Sequence, residues 1–357
     1  MRVVSFCGSE IFKNRGTPIR VRNIAKFLDK DISVDYTLFS ADESVPFLKN
    51  SFSIKGMSFF SVIVELRKYI KNNDTQVLLG HTFASYPVLL LMKVLTGVKI
   101  VLDMHGFLEE EALMTKSISK FRYKRNKILY HFVYRFFDCI FTCSDTATAI
   151  LQKYNKNTYT IYGGVDTNFF KNIHTDSKQD TSLIYMGYAG NTRKWQGLDF
   201  LIQSFKRFYQ TNKNFRLQLL LSEKNSIQPH PGIILLVSVD YKEVPLFLSS
   251  CDVLVIPRED SVVNRISFPS KLPEYMSMGK PVIASRTSDM HNIITHEKNG
   301  LLFVPGDSNS FFECLDIIKD KRARTEIGEF ARKFVETSLT WDRQVEHMIE
   351  KMKKLCV

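Results

Sequence analysis

The sequence predicts an α/β protein made of two doubly wound parallel-sheet domains. The chain has 357 residues and is 44% hydrophobic. That length exceeds one ordinary core and suits two domains of about 150 residues each. Short apolar runs alternate with helical patterns along both halves, and strands separated by helices form parallel sheets covered on both faces.

The N-terminal half has four expected strands. They are Val3–Cys7, Gln76–Gly80, Lys99–Asp103 and Ile140–Cys143. Helices are expected to begin near Thr17 and to cover Val62–Lys71, Ala84–Leu95, Ser119–Phe137 and Thr146–Tyr154. Because the polar stretch Asn172–Thr181 resembles a linker, we expect a first domain over residues 1–172.

The second half repeats this alternation over residues 173–340. Its expected strands are Leu183–Met186, Leu217–Leu221, Ile233–Val237, Val253–Ile256, Val282–Ala284 and Leu301–Val304. Its expected helices are Leu198–Phe208, Val244–Ser249, Lys271–Met278, Asn309–Ile318 and Arg322–Glu336. A last helix at Trp341–Lys354 is expected to pack back on the first domain, within residues 341–357. Ligands of such sheets bind at the carboxyl ends of the strands.

The composition favours a cytoplasmic protein. The longest apolar run, around Pro87–Met92, is interrupted by Lys93 and is far shorter than the roughly 20 residues of a membrane span. The N-terminus lacks the pattern of a secretion signal. The six cysteines are scattered without C-x-x-C spacing, which favours free thiols over a zinc site.

The segment Lys116–Phe137 carries much of the net charge of +12. It is rich in basic and aromatic residues, and its apolar positions recur at helical spacing. One interpretation is a basic amphipathic helix, peripheral on the inner face of the membrane, that contacts anionic lipid. The alternative is a solvated basic face over a packed aromatic one. A nucleic-acid role is disfavoured because no reader motif accompanies the charge.

The stretch Ser267–Ser285 predicts a phosphate site. It predicts a short helix from Ser270 to Gly279 and then a buried strand. A helix N-terminus presents unpaired N–H groups that suit a phosphate, and Lys271 adds a full charge. Glu274, one turn further on, suits a ribose hydroxyl. The alternative is an exposed Glu274 carboxylate paired with Lys271.

Several segments together resemble family 4 glycosyltransferases. They are Gly163–Phe170, Tyr188–Asn191, Trp195–Asp199, Phe268–Ser285, Asn299–Asp307 and the final Phe334–Trp341. The N-terminal half matches more thinly, through Gly16 to Arg20 and through Asp103–Glu111. The resemblance implies the GT-B fold, in which two Rossmann-like domains bind acceptor (residues 1–172) and nucleotide sugar (residues 173–340). It also implies sugar transfer with retention, without an obligatory metal or cofactor.

The resemblance also assigns roles to residues. Glu274 matches the glutamate that holds the donor ribose, and His105 matches a histidine near the reacting sugar. Asp103 is expected to orient His105; the alternative is a strand-end histidine satisfied locally. Gly16 corresponds to a glycine loop that lets backbone approach the donor phosphate, and Ser270 and Lys271 to the phosphate site.

Two positions depart from the family pattern. The first glutamate of its paired motif falls on Ile266, for which Glu259 and Asp260 are possible substitutes. The lysine before Gly197 is Gln196, which leaves the candidate diphosphate ligands Arg193 and Lys194, with Arg193 preferred because its planar fork suits phosphate. His81, Asp145 and Asp166 are second-rank candidates at or near strand ends.

We therefore expect a retaining, metal-independent hexosyltransferase that uses a UDP- or GDP-sugar. Its expected acceptor is lipid-linked or a glycan, in cell-surface polysaccharide biosynthesis. Two alternatives stay open: a nucleotide-sugar epimerase of the same fold and a non-catalytic relative that binds nucleotide sugar.

Overall fold

The structure is a computed structural model that describes residues 1–12, 16–173, 180–222, 227–237 and 240–356. The chain divides into two compact units. Unit 1 is Met1–Gly163 with Trp341–Val357, and unit 2 is Gly164–Thr340. The division precedes the predicted boundary at residue 172 because Val165 pairs with Thr340 and the Phe170 carbonyl accepts a hydrogen bond from Ser277. The expected linker Asn172–Thr181 lies mainly outside the described residues.

The described residues of unit 1 form a seven-stranded parallel sheet in the order β3-β2-β1-β4-β5-β6-β7. Its strands are β1 (Arg2–Cys7), β2 (Asp35–Ser40), β3 (Ser51–Ser53), β4 (Val77–His81), β5 (Lys99–Met104), β6 (Cys139–Thr142) and β7 (Thr158–Thr160). The central strands are almost wholly buried, as expected of a sheet covered on both faces.

The helices of unit 1 follow its strands. They are α1 (Gly16–Lys30), α2 (Phe59–Asn72), α3 (Tyr86–Thr96), α4 (Leu108–Met114), α5 (Lys120–Val133) and α6 (Asp145–Leu151). The predicted helix Ser119–Phe137 is α5 followed by a 3-10 turn at Tyr134–Phe136. Ser119 caps α5, because its hydroxyl accepts the Arg122 N–H. One sheet face packs on α1; the other packs on α2, α3 and the end of α5.

Unit 2 contains a second parallel sheet, whose six described strands run in the order β10-β9-β8-β11-β12-β13. These strands are β8 (Ile184–Gly190), β9 (Phe215–Leu221), β10 (Ile233–Val237), β11 (Val253–Ile256), β12 (Val282–Ser285) and β13 (Leu301–Phe303). Its helices are α7 (Leu198–Phe208), α8 (Val244–Ser249), α9 (Val262–Arg265), α10 (Lys271–Ser277), α11 (Met290–Ile293), α12 (Ser308–Ile317) and α13 (Lys321–Ser338).

A last helix, α14 (Trp341–Lys353), belongs to unit 1. It packs against α1, and its apolar side chains join the core on that side of the sheet. The contributing residues are Trp341, Val345, Met348, Ile349 and Met352. Residues distant in sequence therefore complete one core.

Candidate functional site

Helix α10 in unit 2 is held firmly against the end of β8. The Tyr275 hydroxyl accepts the Ala189 N–H at 2.8 Å and donates to the Ala189 carbonyl at 3.2 Å. Leu272 and Met276 are fully buried beneath the helix. Gly279 ends this segment with φ +67°, a left-handed conformation that favours glycine. The first turn of α10 is thereby placed at the carboxyl end of the sheet, where parallel α/β folds bind ligands.

Lys271, at the start of α10, points its ammonium back over β8. Its Nζ donates to Gln196 Oε1 at 3.0 Å and to the Tyr188 hydroxyl at 3.2 Å. The same atom lies 4.2 Å from the Tyr188 ring centroid. Burial, and then the charge of Arg258, lower the pKa of Lys271 to about 7, although Glu274 raises it in part. A ligand carrying negative charge would restore the protonated form.

Glu274 is half-buried and has a different partner. The Tyr241 hydroxyl donates to Glu274 Oε1 at 3.3 Å, and the Tyr241 ring is stacked on Phe169 with centroids 5.4 Å apart. Burial raises the pKa of Glu274 to about 7, against the opposing effects of Tyr241 and Lys271. The alternative of an exposed Glu274 bonded to Lys271 is therefore wrong. The two charges are free to contact different parts of one ligand.

Gly190 ends β8 and makes room for the lysine. A Cβ at this position would overlap Lys271 Nζ. Gly197, with φ +72°, follows the 3-10 turn Lys194–Gln196, and a Cβ there would overlap the Pro257 carbonyl oxygen. Glycine at both positions thus fixes where Lys271 and its acceptor Gln196 meet.

The other predicted phosphate ligands lie at the surface. Arg193 and Lys194 are exposed, and the Arg193 guanidinium lies 5.1 Å from the Trp195 ring centroid. Ser270 is exposed and its side chain makes no capping bond to α10. The hydrogen bonds of Lys271 Nζ in the described part of unit 2 go to Tyr188 and Gln196, and not to the side chains of Arg193, Lys194 or Ser270.

The loop after β11 contains the departure from the family pattern. Ile266 is buried at 5% exposure, so this position offers no polar group. Asp260 is exposed and forms a two-bond ion pair with Arg265, both bonds 2.6 Å long. Glu259 is half-buried, and its carbonyl accepts from Asn264 Nδ2. The Asp260 carboxylate is thus paired with Arg265, whereas the Glu259 contact is made by its backbone carbonyl. Glu259 is therefore the better candidate of the two substitutes.

Unit 1 gathers a buried network around Asp103, the penultimate residue of β5. Arg20 of α1 contacts both oxygens of this carboxylate, with Nη2 2.8 Å from Oδ1. His105 Nε2 lies 2.6 Å and His81 Nδ1 lies 3.2 Å from Oδ2. Asp103 is completely buried. The structure thus joins predicted Asp103 and His105 to His81 and to Arg20, which sequence reasoning did not name as a site residue.

The charges of this network fix its protonation. Burial alone would raise the pKa of Asp103, but Arg20 and then His105 outweigh burial and hold that pKa well below its usual range. Burial lowers the pKa of His105, against the effect of Asp103. A neutral His105 that donates Nε2–H to the carboxylate leaves Nδ1 as an acceptor. His105 Nδ1 and His81 Nε2 are both buried, and neither atom has a hydrogen-bond partner among the described residues.

The same three residues are the candidate metal ligands among those described. The ligating atoms of His81, Asp103 and His105 lie within 4.8 Å of one another. The Arg20 guanidinium already neutralises this carboxylate, and both imidazoles bond to it directly. This arrangement favours a closed hydrogen-bond network over a divalent cation.

The remaining predicted residues have local roles. Asp145 accepts from the Tyr162 hydroxyl at 2.6 Å, and Asp166 accepts backbone N–H groups of the following turn. A Cβ at Gly16 would meet no atom within 4 Å. Tyr188, Tyr241 and Arg258 were missed because their contacts with Lys271 and Glu274 join distant segments. For Arg20, the motif Gly16 to Arg20 was an available signal.

Comparison with known proteins identifies the family. The model described as glycosyltransferase family 4 matches residues 18–169, and the model described as glycosyl transferases group 1 matches residues 183–319. The chain therefore belongs to the family 4, or group 1, glycosyltransferases and is an enzyme of the transferase class.

Individual relatives agree with this membership. An uncharacterised glycosyltransferase of Methanocaldococcus jannaschii is 25% identical, over 92% of each chain. The capsular polysaccharide biosynthesis glycosyltransferase CapM of Staphylococcus aureus is 25% identical over 54% of each chain. The solved structure of Anabaena HepE, in complex with UDP and glucose, matches with a TM-score of 0.76 at 15% identity, over 99% of this chain and 100% of that one. The parallel architecture of each unit and this match confirm the predicted GT-B fold class.

Proposed function

We propose that this glycosyltransferase moves a hexose-type sugar from a UDP- or GDP-sugar, with retention, to a lipid-linked or glycan acceptor in polysaccharide biosynthesis. The observation that carries the proposal is the separation of Lys271 from Glu274 by their different partners. Each charged group is partly desolvated and available to a ligand. The HepE complex with UDP and glucose supports the donor class, and the role of CapM in capsular polysaccharide biosynthesis supports the biosynthetic context.

In unit 2, the donor diphosphate is held by positive charge. Lys271 supplies an ammonium, and Arg258, which lies close enough to lower the pKa of Lys271, adds a second cation. Preorganised cations stabilise the charge that develops on the leaving diphosphate. Glu274, aligned by the Tyr241 hydroxyl, accepts hydrogen bonds from the ribose hydroxyls. In this proposal Lys271 and Arg258 balance the diphosphate charge, so the described residues need not bind a metal ion for that purpose.

In unit 1, His105 positions a hydroxyl. Because Nε2 is committed to Asp103, Nδ1 is the acceptor that remains for a sugar hydroxyl. Nδ1 is buried in this structure, so the hydroxyl reaches it only after a local rearrangement around His105. In the proposed transfer, the bond from the anomeric carbon to the phosphate oxygen breaks and a bond to the acceptor oxygen forms on the same face. The acceptor proton passes to the departing phosphate, so His105 acts by positioning.

The decisive experiment combines Glu274→Gln with a control, Glu329→Gln, at an exposed glutamate of unit 2. Glu274→Gln is expected to weaken UDP- or GDP-sugar binding in calorimetry by about tenfold to a hundredfold, because a charged acceptor of hydroxyl bonds contributes roughly 1.5–3 kcal/mol. Glu329→Gln should bind normally. NMR should show that the product linkage keeps the anomeric configuration of the donor.

Three outcomes would contradict the proposal. They are full donor binding and turnover by Glu274→Gln, an inverted product, and release of an epimerised nucleotide sugar without any acceptor. The last outcome would support the epimerase alternative.

A further inference from the structure

We propose that one side of unit 1 docks on an anionic lipid bilayer through the outer surfaces of α2, α3 and α5, here called the docking face. Its exposed apolar residues are Phe59, Phe60, Val64, Val94, Leu95, Phe121, Ile128, Leu129, Phe132 and Phe136. The inference rests on the proposed function in one respect, the lipid-linked acceptor. It extends the expectation for Lys116–Phe137 to three helices.

Helix α5 exposes several large apolar side chains on its outer surface. Of its 14 residues, Val133 is the one fully buried among the side chains described. Phe121 is 78% exposed, Ile128 73% and Phe132 56%. Their spacing of seven and four residues places them on one side of the helix. Tyr130 lies on the other side, with its ring 4.3 Å from Phe83.

Basic side chains flank this apolar stripe. Lys120, Lys124 and Arg125 are exposed, and α5 contains no carboxylate. Long basic side chains beside aromatic and aliphatic ones suit the boundary between lipid headgroups and acyl chains. This charge favours anionic lipid over neutral lipid by about 1 kcal/mol per residue near the surface.

The other two helices extend the same side of the sheet. On α2, Phe59 is 60% and Phe60 75% exposed, and on α3 Val94 is 83% exposed. The end of α3 is joined to the segment after α5, because Lys93 Nζ donates to the Phe136 carbonyl at 2.8 Å. All three helices pack their inner sides into the same core. Their exposed apolar residues therefore point away from one sheet face.

The helices on the opposite face of the unit 1 sheet differ from the docking face in their exposed side chains. There α1 and α14 cover the sheet, and over their described residues neither helix exposes a large hydrophobic side chain. The exposed apolar residues that flank α1 in sequence, Phe12 and Ile32, are single loop residues, whereas those of α2, α3 and α5 lie on the helix surfaces. This difference argues against ordinary scatter of exposed apolar residues. No helix of the described chain is long and apolar enough to cross a membrane.

The docking face also reaches the edge of the sheet that carries His105. His105 follows the carboxyl end of β5, and α5 then returns the chain to the start of β6. The first turns of α5 therefore lie at the same edge as His105. Tyr123 of α5 donates to Glu110 of α4 at 2.5 Å, which fixes this end of α5. An acceptor anchored in the bilayer would be presented at the edge that holds the hydroxyl-positioning histidine.

Vesicle flotation of the full chain tests the proposal. At low salt, the protein should float with vesicles containing phosphatidylglycerol and stay in the soluble fraction with phosphatidylcholine alone. The triple change Phe121→Ser, Ile128→Ser and Phe132→Ser should reduce the bound fraction at least tenfold. Replacing Lys120, Lys124 and Arg125 by Gln should reduce affinity about a hundredfold, from roughly fivefold for each charge.

Matched controls lie in unit 2. Leu246→Ser, Val304→Ser and Phe330→Ser remove three apolar side chains that are 47–55% exposed. Lys298→Gln, Lys321→Gln and Lys333→Gln remove three exposed charges. Both control proteins should float like the parent, and circular dichroism should show that all variants keep their helix content.

Failure of flotation by the parent protein, or equal loss in the controls, would overturn the docking face. A dimer in ultracentrifugation that dissociates in the Phe121, Ile128 and Phe132 variant, without vesicle binding, would assign the face to a second copy instead. Normal donor binding without flotation rejects this inference alone. Normal flotation by a protein that binds no nucleotide sugar rejects the proposed function alone.

Discussion

The charged clusters of the two units are organised in opposite ways. In unit 1, Asp103 is surrounded by Arg20, His81 and His105, so its charge is balanced inside the protein. In unit 2, Lys271 and Glu274 bond to neutral partners, and burial shifts both pKa values towards 7. The charge of Asp103 is neutralised within unit 1, whereas Lys271 and Glu274 keep charges that a ligand can neutralise.

The comparison has an energetic meaning. A buried ion pair costs desolvation, and removing one partner leaves the other charge uncompensated. A buried charge without an opposite partner is destabilising, and its removal relieves the protein. We therefore expect substitutions in unit 1 to reduce stability and substitutions in unit 2 to reduce activity while increasing stability.

Asp103→Asn should break the unit 1 cluster most severely. It leaves the Arg20 guanidinium buried without its carboxylate, and the expected loss in unfolding free energy is about 3–5 kcal/mol. Urea unfolding followed by tryptophan and circular dichroism signals measures this loss. Because the pKa of Asp103 is depressed, its stabilising effect is present above the unfolded value of about 4 and is lost as the pH falls through the folded value.

The matched change Asp74→Asn removes a carboxylate whose side chain is 94% exposed and should alter stability little. Equal stability of Asp103→Asn and the parent would mean that the network does not stabilise unit 1.

Lys271→Met should reduce activity and increase stability, whereas Asp103→Asn reduces stability. Loss of the ammonium is expected to lower kcat/KM by about 10²–10³, the effect of losing one preorganised charge-stabilising group. The folded protein should become more stable, because a depressed lysine pKa disfavours the folded state when the lysine is protonated. The gain should be full below about pH 7 and should shrink as the pH rises towards the unfolded lysine value.

Thermal unfolding at pH 6 and pH 9, beside the exposed control Lys298→Met, measures this dependence. A decrease in stability at pH 6 would show that Lys271 contributes a favourable native contact, and the contrast between the units would fail.

Gly190→Ala should sharpen the contrast with a smaller effect. The added Cβ displaces Lys271 Nζ without removing its charge. Gly190 has φ +158°, so alanine also strains the backbone there. Because the clash is with the flexible end of a side chain, we expect a folded but less stable protein with about a tenfold rise in KM for the donor. At Gly306, which is also in unit 2 and has φ +79°, a Cβ would meet nothing within 4 Å, so Gly306→Ala is the control for backbone strain. Unchanged KM in Gly190→Ala would show that the position of the ammonium is not critical.

The sequence predicted the buried strands well because their apolar runs are continuous. The strands β10 and β11 and the helices α7 and α8 have the predicted bounds. The strands β2, β3 and β7 were missed. They mix polar residues with apolar ones, and β3 and β7 have three residues each, so their place in the sheet depends on neighbours that the local sequence does not show.

The candidate site was predictable to the extent that it follows single motifs. Lys271 and Glu274 come from one short helix and could be named from their spacing. Their partners Tyr188, Gln196 and Tyr241 lie far away in the chain and are brought close by tertiary packing. The contact of Arg20 with Asp103 was not predicted for the same reason, because the two residues are 83 positions apart in the chain.

The return of α14 to unit 1 has a consequence for protein synthesis. Trp341 and the apolar residues after it are the last of the core to leave the ribosome, whereas unit 2 has by then been fully translated. A nascent chain would expose part of the α1 surface until α14 has been translated. Unit 1 therefore completes its core only after unit 2 has been translated, and we expect chaperones to bind unit 1 rather than unit 2 during that interval.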